Sequence, residues 1–113
     1  MNESQLIKNY FQKLVKNNHA AKKLNDDIFF CNKKNLAISV DTYNEGIHFP
    51  NFKQPDLVIK KVIRSSISDL ICKGVKPKFY FISGSGNKTS FKKNNIYKIS
   101  NSLNLEQKKF NIV

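Results

Sequence analysis

Ile28-Phe29-Phe30-Cys31-Asn32-Lys33-Lys34-Asn35-Leu36-Ala37-Ile38-Ser39-Val40 is two short apolar runs around a polar tetrapeptide. Ile28 to Cys31 and Leu36 to Val40 have strand length and strand composition. Asn32 to Asn35 is a turn of hairpin length. The segment therefore reads as a β-hairpin, and Asp41 follows directly on its second strand. Upstream, Leu6, Ile7, Tyr10, Phe11, Leu14 and Val15 recur at helical spacing, which predicts an amphipathic helix from about Glu3 to Asn17. A polar linker, Asn17 to Lys23, joins it to the hairpin.

Downstream comes a loop, Thr42 to Gln54, carrying Gly46, His48 and Pro50. Pro55 suits the first turn of a second helix. Leu57, Val58, Val62, Ile63, Ser66, Ile67, Leu70 and Ile71 carry the helical period on to Lys73, and Gly74 is a natural stop. Phe79-Tyr80-Phe81-Ile82 reads as a strand buried on both faces, and Ser83 to Asn87 as a flexible loop. That loop lacks the spacing of a Walker A motif. A third helix is expected from about Lys92 to Asn104 or beyond, with Ile96, Ile99 and Leu103 on one face. Phe110-Asn111-Ile112-Val113 begins like another strand. This order predicts an α+β (α/β layered) domain, a mixed sheet packed against helices.

The chain has 113 residues, 40% hydrophobic and 25% charged, which suits one globular domain of residues 1–113. No apolar run approaches the roughly 18 residues a membrane helix needs. The first ten residues hold no signal-peptide block, so the chain reads as cytoplasmic. Cys31 and Cys72 have neither zinc spacing nor a disulfide framework. They read as small core or boundary residues. The net charge of +12 is the electrostatic footprint of a nucleic-acid binder. However, every basic residue but Arg64 is Lys, whereas base and phosphate readers favour the bidentate Arg fork. An excess of Lys, Asn, Ile and Phe is also what an AT-rich genome produces, so nucleic acid is not the expected partner.

Of the eight acidic residues, four hold notable places. Asp26 and Asp27 precede the first strand, Asp41 ends the second, and Asp69 lies beside the apolar face of the second helix. Carboxylates repel one another, and clustering them is costly unless a cation sits among them. Mg²⁺ takes oxygen ligands, often a few carboxylates plus substrate phosphates. Asp27, Asp41 and Asp69 are thus candidate ligands. Spacing equally allows them to be turn and solvated helix residues.

Four ordered blocks give the chain a family likeness. They are Asn25-Asp26-Asp27; Leu36-Ala37-Ile38-Ser39-Val40-Asp41-Thr42; Glu45-Gly46-Ile47-His48-Phe49; and Ser66-Ile67-Ser68-Asp69-Leu70 followed by Lys73-Gly74-Val75-Lys76-Pro77. Together they resemble the N-terminal part of the thiamine-monophosphate kinase family. That family belongs to the superfamily of aminoimidazole ribonucleotide synthetase, with its PurM-like N-terminal fold. The resemblance implies that Asp27, Ser39, Asp41 and Asp69 serve several Mg²⁺ ions and that His48 contacts the substrate phosphate. It leaves the nucleotide-binding residues unassigned.

The departures are specific. Asn25 stands where the family has Gly, Val40 where it has Thr, and Ser66 where it usually has Asn. The family's downstream Gly-Gly-Asp-Thr motif is absent, and the sequence stops at the strand that leads into it. The expectation is a fragment, incomplete at the C-terminus and lacking the second domain.

By this resemblance the partners are ATP as co-substrate and thiamine monophosphate, and the product is thiamine diphosphate. Phosphoryl transfer asks the protein mainly for positioning and charge neutralisation. A fragment lacking much of the nucleotide site is expected to be inactive alone. A homodimer through the N-terminal sheet is also implied, with Leu36 to Val40 as the candidate edge. The alternatives are a small basic nucleic-acid-binding domain and a non-catalytic dimerising remnant.

Overall fold

The computed structural model describes residues 1–26 and 28–113. They divide into two compact units, Met1–Val40 and Asp41–Val113.

In the first unit, α1 (Glu3–Leu6) opens with a capping box. The Asn2 side chain accepts the Gln5 N–H at 2.9 Å, and the Gln5 side chain accepts the Asn2 N–H at 3.1 Å. The helical path then widens to a π turn over Ile7–Phe11 and tightens to a 3₁₀ turn over Gln12–Val15. It ends at Lys16, whose φ is 50°. This corrects the expectation of one regular helix with an apolar stripe. The stripe assumes 3.6 residues per turn, and changing the winding turns its later members away from its earlier ones. Leu6, Tyr10 and Phe11 are exposed, and Leu14 is 67% exposed.

The expected linker is structured too. Asn18 caps a 3₁₀ segment, His19–Leu24, by accepting the Ala20 N–H at 3.1 Å. Left-handed backbone at Lys22, Lys23 and Leu24 then breaks the segment.

The hairpin forms as expected. β1 (Ile28–Cys31) pairs antiparallel with β2 (Leu36–Ser39), Ile28 opposite Ser39 and Cys31 opposite Leu36. Asn35 takes the left-handed turn position at φ 51°, which Asn tolerates better than most residues. Ile28 is the buried member of this pair of strands.

The second unit is built on two 18-residue helices, α2 (Pro55–Cys72) and α3 (Lys93–Phe110). Pro55 opens α2, and Asp56 in the first turn suits the positive end of the helix dipole. Gly74 closes it at φ 74°, with Val75 N–H on the Leu70 carbonyl at 2.9 Å and Gly74 N–H on the Ile71 carbonyl at 3.0 Å. This pair of bonds is a Schellman motif. Ile59, Ile63 and Ile67, four residues apart, form the core stripe of α2. Ile112 joins them at 2% exposure, with Tyr80, Ile99, Leu103 and Phe110 packed around.

Polar ties join the helices as well. Ser102 Oγ donates to the Asp56 carbonyl at 2.8 Å. Arg64 meets the buried Glu106 through Nε (2.9 Å) and Nη2 (3.2 Å). The Glu106 hydrogen bond holds the guanidinium above its ordinary pKa.

α3 runs on to Phe110, so the strand expected to begin there is instead a helix end. Left-handed Asn111 turns the chain back, and Ile112 N–H bonds the Gln107 carbonyl at 3.1 Å. The doubly buried strand at Phe79–Ile82 is likewise absent: Phe79 is 73% exposed and Phe81 fully so. One trace of pairing remains. Tyr80 N–H bonds the Val113 carbonyl at 3.0 Å, and Val113 N–H bonds the Lys78 carbonyl at 3.1 Å. Those slanted bonds to either side of Phe79 follow the pattern of a parallel pair. The α+β class therefore stands, and the sheet among the described residues is a single antiparallel pair.

Candidate functional site

The loop from Asp41 into α2 holds the most organised polar arrangement of the second unit. Asn44 and His48 bond each other twice. His48 N–H donates to the Asn44 carbonyl at 2.9 Å, and Asn44 N–H donates to His48 Nδ1 at 2.7 Å. Gly46, at φ 83°, makes the sharp turn between them, and its N–H bonds the Phe49 carbonyl at 2.7 Å. A side chain at this φ would be strained, which explains Gly at that position. Lys61 of α2 donates its ammonium to the His48 carbonyl, fastening the loop to the helix.

This bonding sets the chemistry of His48. An Nδ1 that accepts a backbone N–H carries no proton, so the neutral ring is protonated at Nε2. The half-buried His48 thus presents an N–H donor on the side away from Asn44. Such a donor suits an anionic oxygen.

Tyr43 ties three groups together. Its ring meets His48 edge-on, with centroids 5.6 Å apart and planes at 74°. Its hydroxyl lies 3.5 Å from Asp41 Oδ2 and 3.3 Å from Ser66 Oγ on α2. Ser66 and the half-buried Asp69 are three residues apart on α2, so they are neighbours on one face.

The structure thus brings Asp41 and His48 together through Tyr43 and places Asp69 one turn along the helix that Tyr43 touches. Ser39 ends β2 in the first unit. Asp27 lies outside the described residues. Among the described residues, no three His, Cys, Asp or Glu side chains come together as a metal-holding group. The oxygen donors Asp41 and Asp69 nonetheless suit a hard cation. Mg²⁺ is ordinarily held by one or two carboxylates with substrate phosphates completing the shell, so a ready-made cage is not required.

Sequence reasoning missed Tyr43, Asn44 and Lys61. Their one signal was proximity to Asp41 and His48 or to the start of α2. Cys31 and Cys72 are free thiols; Cys31 is half-buried and Cys72 exposed, so the latter is not a core residue.

Residues 25–113 match the family model described as AIR synthase related protein, N-terminal domain. The chain belongs to that family. It is similar to the thiamine-monophosphate kinase of Aquifex aeolicus (strain VF5), 37% identical over 73 residues. That match covers 62% of this chain and 24% of the relative, so the chain spans about a quarter of the relative's length. No solved structure matches significantly.

Proposed function

We propose that residues 1–113 form the N-terminal, ATP- and Mg²⁺-binding-type part of a cytoplasmic kinase that converts thiamine monophosphate to thiamine diphosphate. The γ-phosphoryl group of ATP would pass in line to the phosphate of thiamine monophosphate, leaving ADP. The observation that carries this reading is the Asn44 N–H on His48 Nδ1, which leaves the Nε2–H of the neutral ring as a donor suited to an anion. It occurs in a chain related to a thiamine-monophosphate kinase.

In this reading His48 binds and orients the substrate phosphate. Asp41 and Asp69, with Asp27 and Ser39, would hold Mg²⁺. When bound, Mg²⁺ offsets the repulsion between two phosphate groups that must approach each other. The loop's bonds to α2 keep His48 in place before substrate arrives, which lowers the ordering cost of binding. Matched to about a quarter of its relative, the chain by itself is expected to bind substrate without turning it over. A homodimer through the outer edge of β2 belongs to the same proposal, supported by exposed Leu36 and Ile38 on that strand.

The test is site-resolved metal binding. Mn²⁺, standing in for Mg²⁺, should broaden the amide resonances around Asp41 and Asp69 at substoichiometric amounts. Asp41→Asn and Asp69→Asn should each weaken that effect. Broadening that ignores both substitutions would remove these two residues from the metal assignment.

A further inference from the structure

We propose that Tyr43 is a positioning residue of this site: its ring holds the His48 imidazole, and its hydroxyl links the Asp41 carboxylate to α2 at Ser66. The inference rests on the assignment of His48 to the substrate phosphate and extends it to a residue that the four motif blocks do not assign.

Three contacts converge on this one side chain. The hydroxyl has one proton and can accept another. Donating to Asp41 Oδ2 at 3.5 Å and accepting from Ser66 Oγ at 3.3 Å uses both capacities. The ring edge on His48 limits rotation of the imidazole about its side-chain bonds. Asn44 N–H supplies the second constraint by capping Nδ1. An imidazole held by only one backbone hydrogen bond can swing away and exchange tautomers; one also packed against an aromatic edge cannot do so freely.

Tyr43 is itself half-buried in an otherwise exposed stretch, Asp41 to Ile47. The linkage also has a direction. Ser66 sits on α2 one turn before Asp69, so Tyr43 connects the loop bearing His48 and Asp41 to the helix face bearing Asp69.

The test uses the full 113-residue chain, isotopically labelled, with the His48 ring nitrogens read by NMR. In the unsubstituted chain His48 should show one tautomer, protonated at Nε2. Tyr43→Leu removes ring and hydroxyl; the freed imidazole should then leave the Asn44 N–H part of the time and give a mixture of tautomers. Tyr43→Phe keeps the ring and should keep the tautomer. Loss of its hydroxyl should make amides 41–49 exchange with solvent about three- to tenfold faster.

A single unchanged tautomer in Tyr43→Leu, or unchanged exchange in Tyr43→Phe, overturns the positioning role. If the leucine variant does not fold, the phenylalanine variant decides alone. Titration with thiamine monophosphate separates this inference from the reading beneath it. No shift at His48 in the unsubstituted chain defeats the substrate assignment, and the ligand-free results still judge Tyr43. A shift in the unsubstituted chain with equal affinity in both variants defeats Tyr43 and spares the assignment.

Discussion

His48 meets its surroundings through two different nitrogens. One accepts from Asn44, and the other remains a donor. His48→Ala should therefore weaken thiamine monophosphate binding by about 1.5–3 kcal/mol, the range for a hydrogen bond to a charged group. Calorimetric titration checks this, and an unchanged affinity would take His48 out of the substrate contact. His48→Asn, placing an amide donor at a similar distance, should recover part of the loss. Gly74 carries a different kind of constraint. An added Cβ would meet nothing within 4 Å, but φ is 74°. Gly74→Ala should then cost about 1 kcal/mol from backbone strain alone. Urea unfolding gives that number, and a neutral result would mean the α2 terminus relaxes.

Among the elements, α2 was the most legible from sequence and the N-terminal helix the least. Pro55 and Gly74 punctuate α2 at both ends, and its period places Val58, Ile63 and Ile67 inward as read. Ile59 went unread, and it is buried in the same core. α3 runs beyond Asn104, as expected, because Leu105 to Lys109 are good helix formers. The apolar residues after them resembled a strand only in composition. Phe79 to Ile82 had strand composition as well, but a strand also needs neighbours along its length. The described pairing there amounts to two bonds, both to Val113, one from the Tyr80 N–H and one to the Lys78 carbonyl. At the site, Asp41 and His48 were legible because motif blocks mark them. Tyr43 was not, because an aromatic residue in a loop follows no period.

The α2–α3 pair rests on the apolar stripe and on Arg64–Glu106. Ile63→Ala should cost about 2–4 kcal/mol by opening a cavity at a site 5% exposed. Arg64→Met should lower stability by leaving Glu106 buried without its cation, the exposed side of the guanidinium reducing the effect. Replacing both Arg64 and Glu106 with Met and Leu should recover most of that loss. A double variant as unstable as Arg64→Met would show that the ion pair itself, and not the stranded carboxylate, supplies the stability.

At the level of the whole chain, a charge of +12 and eight acidic residues point to different partners. Charge alone favours a polyanion bound with steep salt dependence. The bonded loop, with a ring N–H left to donate, favours a small anionic ligand at a defined place. Mixing the chain with ATP, Mg²⁺ and thiamine monophosphate should yield no thiamine diphosphate; product formation would correct the expectation that more of the kinase is needed. The most direct measurement is a thiamine monophosphate titration with Mg²⁺, followed at every amide and at the His48 ring. The account predicts saturable, Mg²⁺-dependent shifts confined to Asp41–Phe49 and the adjoining face of α2. Silence there, with salt-sensitive shifts spread over the lysines when an oligonucleotide is added instead, would contradict it.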